Sequence, residues 1–262
     1  MKVKFKTFIK KNIYKLIPII GAPLSSKLSF PIIYYHDIVE DQGYSLQKTN
    51  FTVFKEQMIY LSENNYNTLL FSEVGNFTDK KLANKKNVMI TFDDGYRSNY
   101  ELAFPLMKEL GLKFNIFICP KMIENKHPEY LSKDMLDEMY KSGLVEFGSH
   151  TYSHVDASLS TEEELLGEIQ NCNKKISEWL GYSTKDFCYP YGKYTKKTSP
   201  LLSNYYERIY TSDCKPLTTI GKAKERGRIG ISTDDSLKDF RNKLNGRYNI
   251  LFYYYRLKAK FN

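Results

Sequence analysis

Short apolar runs alternate with amphipathic stretches through most of this chain, and that alternation restricts it to an α/β fold with a mostly parallel sheet. Phe30–Tyr35, Asn67–Phe71, Val88–Phe92, Lys113–Ile118, Leu144–Gly148 and Asp186–Tyr189 read as strands, followed by Arg208–Tyr210 and Arg228–Ile231. Between them the spacing predicts a helix capped by Asn50 or Thr52 and running through Leu61, then helices at Leu102–Leu110 and Ser132–Ser142. A capping box of Ser160 and Glu163 opens another, ended by Gly181, and a last helix covers Leu237–Leu244. A parallel sheet of this kind, closed or nearly closed, gathers its active site at the C-terminal ends of the strands.

Six polar residues fall just after expected strands: His36, Asp93, Asp94, His150, His154 and Tyr191. Thr91-Phe92-Asp93-Asp94-Gly95 pairs two carboxylates at a strand end, and His150-Thr151-Tyr152-Ser153-His154 places two imidazoles four residues apart. Imidazole nitrogens with one carboxylate form a donor set for a divalent first-row cation, and a second carboxylate is then free to act as a base. Taken singly, Asp-Asp-Gly is more often a capped turn and a histidine pair more often surface. Their joint placement after strands points to a hydrolase.

With 262 residues the chain can bury a single domain without a second one. The net charge of +9 raises the question of nucleic acid, but no nucleic-acid module accompanies it. The lysines and arginines gather at the two ends, which suits a membrane surface as much as plain solvated tails. Leu16–Leu24 is interrupted by prolines and too short to span a bilayer, so a membrane-surface segment or plain extension is expected there rather than a cleaved signal, and a cytoplasmic or membrane-surface location rather than secretion. Cys119, Cys172, Cys188 and Cys214 lack CxxC spacing and read as reduced structural residues.

The acid pair, the histidine pair and Tyr189-Pro190-Tyr191-Gly192 together resemble the polysaccharide deacetylase family, the NodB-homology or carbohydrate esterase family 4 enzymes. The resemblance covers roughly residues 30–235, leaving 1–29 as a basic extension suited to a membrane surface and 236–262 as a C-terminal helix and basic aromatic tail. It implies a distorted (β/α) barrel that removes acetyl groups from N-acetylated sugars; a sugar of a surface polysaccharide or its lipid-linked precursor is the expected substrate, and a monomer the expected state. It also implies Asp94, His150 and His154 as ligands of a divalent metal, zinc before cobalt, nickel or iron, with Asp93 as base and the Tyr191 backbone N–H as an oxyanion donor.

Two departures stand out. No histidine follows His154, so the general acid falls to His36, which resembles the N-terminal histidine of the permuted branch acting on poly-N-acetylglucosamine. Cys188 stands where the family carries an arginine that orients the base, and Arg228 or Arg97 is expected to supply that charge. Two other classes remain open: an inactive glycan-binding barrel, for which the altered third motif speaks, and an Asp-nucleophile phosphatase, against which the adjacent rather than alternate carboxylates speak.

Overall fold

The computed structural model describes residues 30–40, 47–75, 86–213, 218–220 and 222–245. The basic extension, the C-terminal tail beyond the last helix and Cys214 lie outside these residues. In chain order the elements are β1 (Ile32–Tyr35), β2 (Asp37–Val39), β3 (Lys48–Asn50), α1 (Phe51–Glu63), β4 (Asn67–Thr68) and β5 (Asn87–Phe92). After a single π-helical turn (Asn99–Ala103) come α2 (Phe104–Glu109), β6 (Phe114–Ile118), α3 (Pro120–Glu124), α4 (Lys133–Lys141), β7 (Val145–Ser149) and α5 (Glu162–Leu180). The remainder is β8 (Asp186–Cys188), a 3₁₀ turn (Pro190–Gly192), α6 (Thr198–Leu202), β9 (Arg208–Thr211), β10 (Thr218–Ile220), β11 (Ala223–Gly227), β12 (Ile229–Gly230) and α7 (Leu237–Leu244).

The main sheet runs β10-β11-β9-β8-β7-β6-β5-β1-β12, parallel except where β10 meets β11. Its two ends are one stretch of chain. Residues 224–227 pair with β9, and two residues later Ile229 and Gly230 pair with Ile33 and Tyr34 of β1. Arg228 is where the strand changes partner, its N–H still bonded to the Thr211 carbonyl of the β9 side at 2.9 Å. The sheet is thereby nearly closed into a barrel, as the alternation led one to expect.

Both faces of the strands are buried, which is characteristic of parallel sheets; β5 is buried at all six positions. Because side chains alternate with period two, Ile33, Ile90, Phe92, Phe114, Ile116 and Phe147 share the outer face and pack against Phe54, Met58, Leu106, Met139 and Ile176 of the helices. Ile32, Met89, Phe117, Cys188 and Tyr210 share the inner face in a smaller core. Gly148 faces the latter, and a Cβ there would come within 2.6 Å of the Phe117 ring.

Three local details differ from the sequence expectation. The capping box of α5 is Thr161 with Glu164, one residue later than Ser160 and Glu163, since Thr161 has the extended backbone of an N-cap (ψ 165°) and its Oγ1 accepts from the Glu164 N–H. β2 and β3 form a small parallel sheet of their own beyond β1, in stretches too short and polar to show a period. The first part of the expected Leu102–Leu110 helix is the π turn, whose extra residue per turn breaks the 3.6 spacing.

Candidate active site

The inner face of the barrel, continued one step past the strand ends, is the site. Counting by twos from the inner core, β1 leads from Ile32 through Tyr34 to His36, and β5 from Met89 through Thr91 to Asp93. In the same way β7 leads from Gly148 to His150, β8 ends on Cys188, and the closing strand delivers Arg228. One pleat register therefore aims five chemically active side chains into one barrel mouth.

Asp93 and Asp94 diverge because the chain turns sharply between them: Asp94 (φ 71°) and Gly95 (φ 76°) are both left-handed. A Cβ on Gly95 would lie 3.1 Å from Ile118 Cγ2, so this turn suits glycine twice over. Asp94 Oδ1 faces His154 Nε2 at 3.1 Å and His150 Nε2 at 3.3 Å. The oxygen is buried and has no hydrogen-bond partner among the described residues, so carboxylate and imidazoles converge on one point without satisfying one another. Burial alone would raise the Asp94 pKa, but the two imidazoles overcome it and hold the carboxyl well below the usual carboxylate range.

His150 Nδ1 meets the Cys188 carbonyl at 2.8 Å, which fixes the tautomer and leaves Nε2 as a lone-pair donor. His154 reaches the same point from a loop with left-handed Thr151 and His154 (φ 62° each), tied down by the Ser153 N–H and hydroxyl on Glu168 of α5, both at 2.7 Å. Two other groupings bring donor atoms within 4.8 Å of one another, Asp93-His150-Cys188 and Asp94-Cys119-His154. Both thiols are committed elsewhere: Cys119 donates to the His150 carbonyl at 3.2 Å, and Cys188 Sγ accepts from Arg228 Nη2 at 2.8 Å. Burial also pushes both thiols upward, away from the thiolate a metal needs. The donor set that fits a divalent cation is therefore Asp94, His150 and His154.

Asp93 is held differently. Arg228 Nη1 and Nη2 donate to its two oxygens, each at 2.7 Å, and Nη1 also donates to Thr91 Oγ1 at 3.0 Å. The guanidinium lies between the rings of Tyr34 (4.6 Å) and Phe117 (5.3 Å) and is only 1% exposed. Burial would raise the Asp93 pKa, but Arg228 overrides it and the carboxyl stays ionised below its ordinary value. Arg97, the other candidate, is elsewhere: its Nε donates to the Pro128 carbonyl and its side chain pairs with Glu101.

His36 Nε2 lies 3.9 Å from Asp93 Oδ2. Burial lowers its pKa, only partly offset by Asp93 and Asp94, so the resting imidazole is neutral at neutral pH. Its backbone carbonyl accepts from Asn99 Nδ2 at 2.9 Å, at the start of the π turn. Tyr191 (φ 59°) sits at the rim, 60% exposed, its ring edge-on to His154 at 4.5 Å. Asn99 escapes the sequence reading, and the contacts of Thr91 and Cys188 with Arg228 do too, since each acts through a neighbour distant in the chain. Beyond Asp94, burial first and its charge second push the phenols of Tyr96 and Tyr130 upward.

Residues 80–206 match the family described as polysaccharide deacetylase. It is 32% identical over 169 residues to a candidate polysaccharide deacetylase of Bacillus subtilis, YxkH, covering 64% of this chain and 58% of that protein. It is 27% identical over 182 residues to the poly-beta-1,6-N-acetyl-D-glucosamine N-deacetylase of Staphylococcus aureus, covering 65% of this chain. The chain spans only 58% and 62% of the lengths of these two relatives. The fold is shared with the deacetylase PplD of Streptococcus pyogenes (TM-score 0.73, 23% identity, 82% of this chain and 97% of that one). IcaB from Ammonifex degensii is similar in the same way (TM-score 0.70, 24% identity, 83% and 97%).

Proposed function

We propose that this protein is a metal-dependent N-deacetylase acting on an N-acetylglucosamine polymer of the cell surface or on its lipid-linked precursor. The observation that carries the reading is the division of the acid pair. Asp94 Oδ1 faces two imidazole nitrogens at 3.1 and 3.3 Å, while Asp93 is clamped beside it by Arg228 as an ionised base. The name of the Staphylococcus aureus relative supports the polymer, and the histidine after β1 supports the permuted branch.

Asp94, His150 and His154 would hold the divalent metal, zinc before cobalt, nickel or iron, which would polarise the acetamide carbonyl and acidify its water. Asp93 takes the proton of the attacking water, and each of its oxygens keeps a lone pair after receiving Arg228. The Tyr191 backbone N–H donates to the oxyanion formed on the acetyl carbon. The C–N bond then breaks, acetate leaves, and the amine nitrogen needs a proton. His36, neutral at rest and 3.9 Å from Asp93, is placed to receive that proton from the weakly basic carboxyl and deliver it to the amine. A barrel that only bound glycans would have no use for the buried base and its clamp.

Acetate release from N-acetylglucosamine oligomers by zinc-reconstituted protein, beside an EDTA-treated sample and Asp93→Asn, tests the proposal. Release lost in both controls is the expected result. Release that persists in EDTA, or no release by protein that binds both zinc and the oligomer, would overturn it.

A further inference from the structure

Next to the site is a ladder of rings that the chemistry does not use. Tyr96 follows Gly95 directly and stacks on Tyr130, with centroids 5.1 Å apart and ring planes at 19°. His127 meets Tyr130 edge-on at 5.2 Å and is itself exposed, so the rings lead from Asp94 outward to solvent. Tyr96 and Tyr130 are both partly exposed.

The ladder is firmly built. Tyr96 and Tyr130 form an isolated β-bridge, the Arg97 N–H donates to the Glu129 carbonyl at 2.8 Å, and the Leu131 N–H donates to the Gly95 carbonyl at 3.0 Å. Arg97 Nε adds its bond to the Pro128 carbonyl. The loop carrying Tyr130 and His127 is thus pinned to the turn that carries Asp94, and the rings cannot shift independently of the centre. On the other side of the mouth, three strands around the barrel, Tyr191 stands against His154 with Lys193 over its ring at 5.6 Å.

Resting on the deacetylase reading, we infer that Tyr96, Tyr130 and His127 form a subsite that holds the sugar ring next to the one losing its acetyl group, so that the enzyme works on polymers rather than single sugars. A pyranose offers apolar C–H patches rimmed by hydroxyls. Ring surfaces with phenol and imidazole groups at their edges match both, and a pre-positioned ladder binds at little ordering cost. His127, an unremarkable loop residue in the sequence, becomes the outer rung.

The test compares N-acetylglucosamine pentamer with the monosaccharide, on zinc-loaded full-length protein and its Tyr130→Ala, Tyr130→Phe and His127→Ala variants, with thermal unfolding as a check on folding. In Tyr130→Ala the pentamer's advantage over the monosaccharide in kcat/KM should fall about tenfold, chiefly through KM. Tyr130→Phe, which keeps the ring, should recover most of it, and His127→Ala should show a smaller loss of the same kind. Equal losses on both substrates, or no loss in Tyr130→Ala, would reduce the ladder to a structural brace and overturn the inference. If the wild type releases no acetate at all, the deacetylase reading fails, and pentamer binding by calorimetry judges the subsite alone. Weakening of about tenfold in Tyr130→Ala supports it, and unchanged affinity or no binding by the wild type overturns it.

Discussion

Replacing Arg228 with methionine should convert the best-satisfied carboxylate of the barrel mouth into its worst. The pair is bidentate at 2.7 Å and the partners are 1% and 6% exposed, so removing the cation strands a buried charge, a loss of about 3–5 kcal/mol. At about 2–4 °C per kcal/mol for chains approaching this size, the melting temperature should fall by about 6–20 °C. The dependence on pH gives the cause. In the native protein Arg228 holds Asp93 below its unfolded value, so the pair stabilises above pH ~4 and that stability is lost as pH falls through the depressed pKa. In the variant burial acts unopposed and raises the Asp93 pKa above its unfolded value. The ionised carboxylate then destabilises at neutral pH and is relieved on acidification, so the gap between wild type and variant is widest near neutrality and closes toward acid. Circular-dichroism melts of EDTA-treated protein across this range would show it. Asp93→Asn in the Arg228→Met background should recover most of the loss. A single variant melting within about 2 °C of wild type at neutral pH, or a double variant no better than the single, would refute the clamp.

Three further outcomes follow from the same geometry. Asp94→Asn should lose zinc affinity by at least about tenfold in competition titrations, whereas Asp93→Asn should keep the metal and lose turnover; equal metal loss would mean the pair is divided wrongly. If His36 must be neutral to accept its proton, kcat/KM should fall on the acid side with a limb below the ordinary histidine value of about 6.5, because burial lowers its pKa, and the residual activity of His36→Ala should lack that limb. Gly95→Ala forces a side chain into a left-handed turn and against Ile118, and should cost about 1–2 kcal/mol in denaturant unfolding; a neutral effect would mean the turn can relax.

The parts of this molecule that were legible in the sequence are those whose signal is local. Val88–Phe92 stands out as a run of apolar residues stopped by Asp93-Asp94-Gly95, and the structure gives a fully buried strand followed by a left-handed turn. His36, His150 and His154 are each one to five residues past a strand and do reach the mouth. What a one-dimensional pattern hides is the inner face. Strands buried on both sides carry no alternation of polar and apolar residues, so nothing in the hydropathy tells Ile32 and Met89 from Ile33 and Ile90. For the same reason Arg97 and Arg228 were indistinguishable as partners of Asp93, although one braces a loop and the other lies inside the barrel.

The position of Arg228 also explains how Cys188 can stand where the family resemblance leads one to expect an arginine. To stay ionised, the buried Asp93 carboxylate requires a cation within hydrogen-bonding reach and out of water, and that requirement fixes a point in space rather than a place in the chain. A thiol on β8 leaves room for a guanidinium arriving from the closing strand and accepts one of its protons at 2.8 Å. Arg228 lies between the residues that pair with β9 and those that pair with β1, so the charge that keeps Asp93 ionised is delivered by the step that closes the barrel. Loosening that closure would withdraw the cation and raise the pKa of Asp93 together, which couples the charge state of the site to the integrity of the fold.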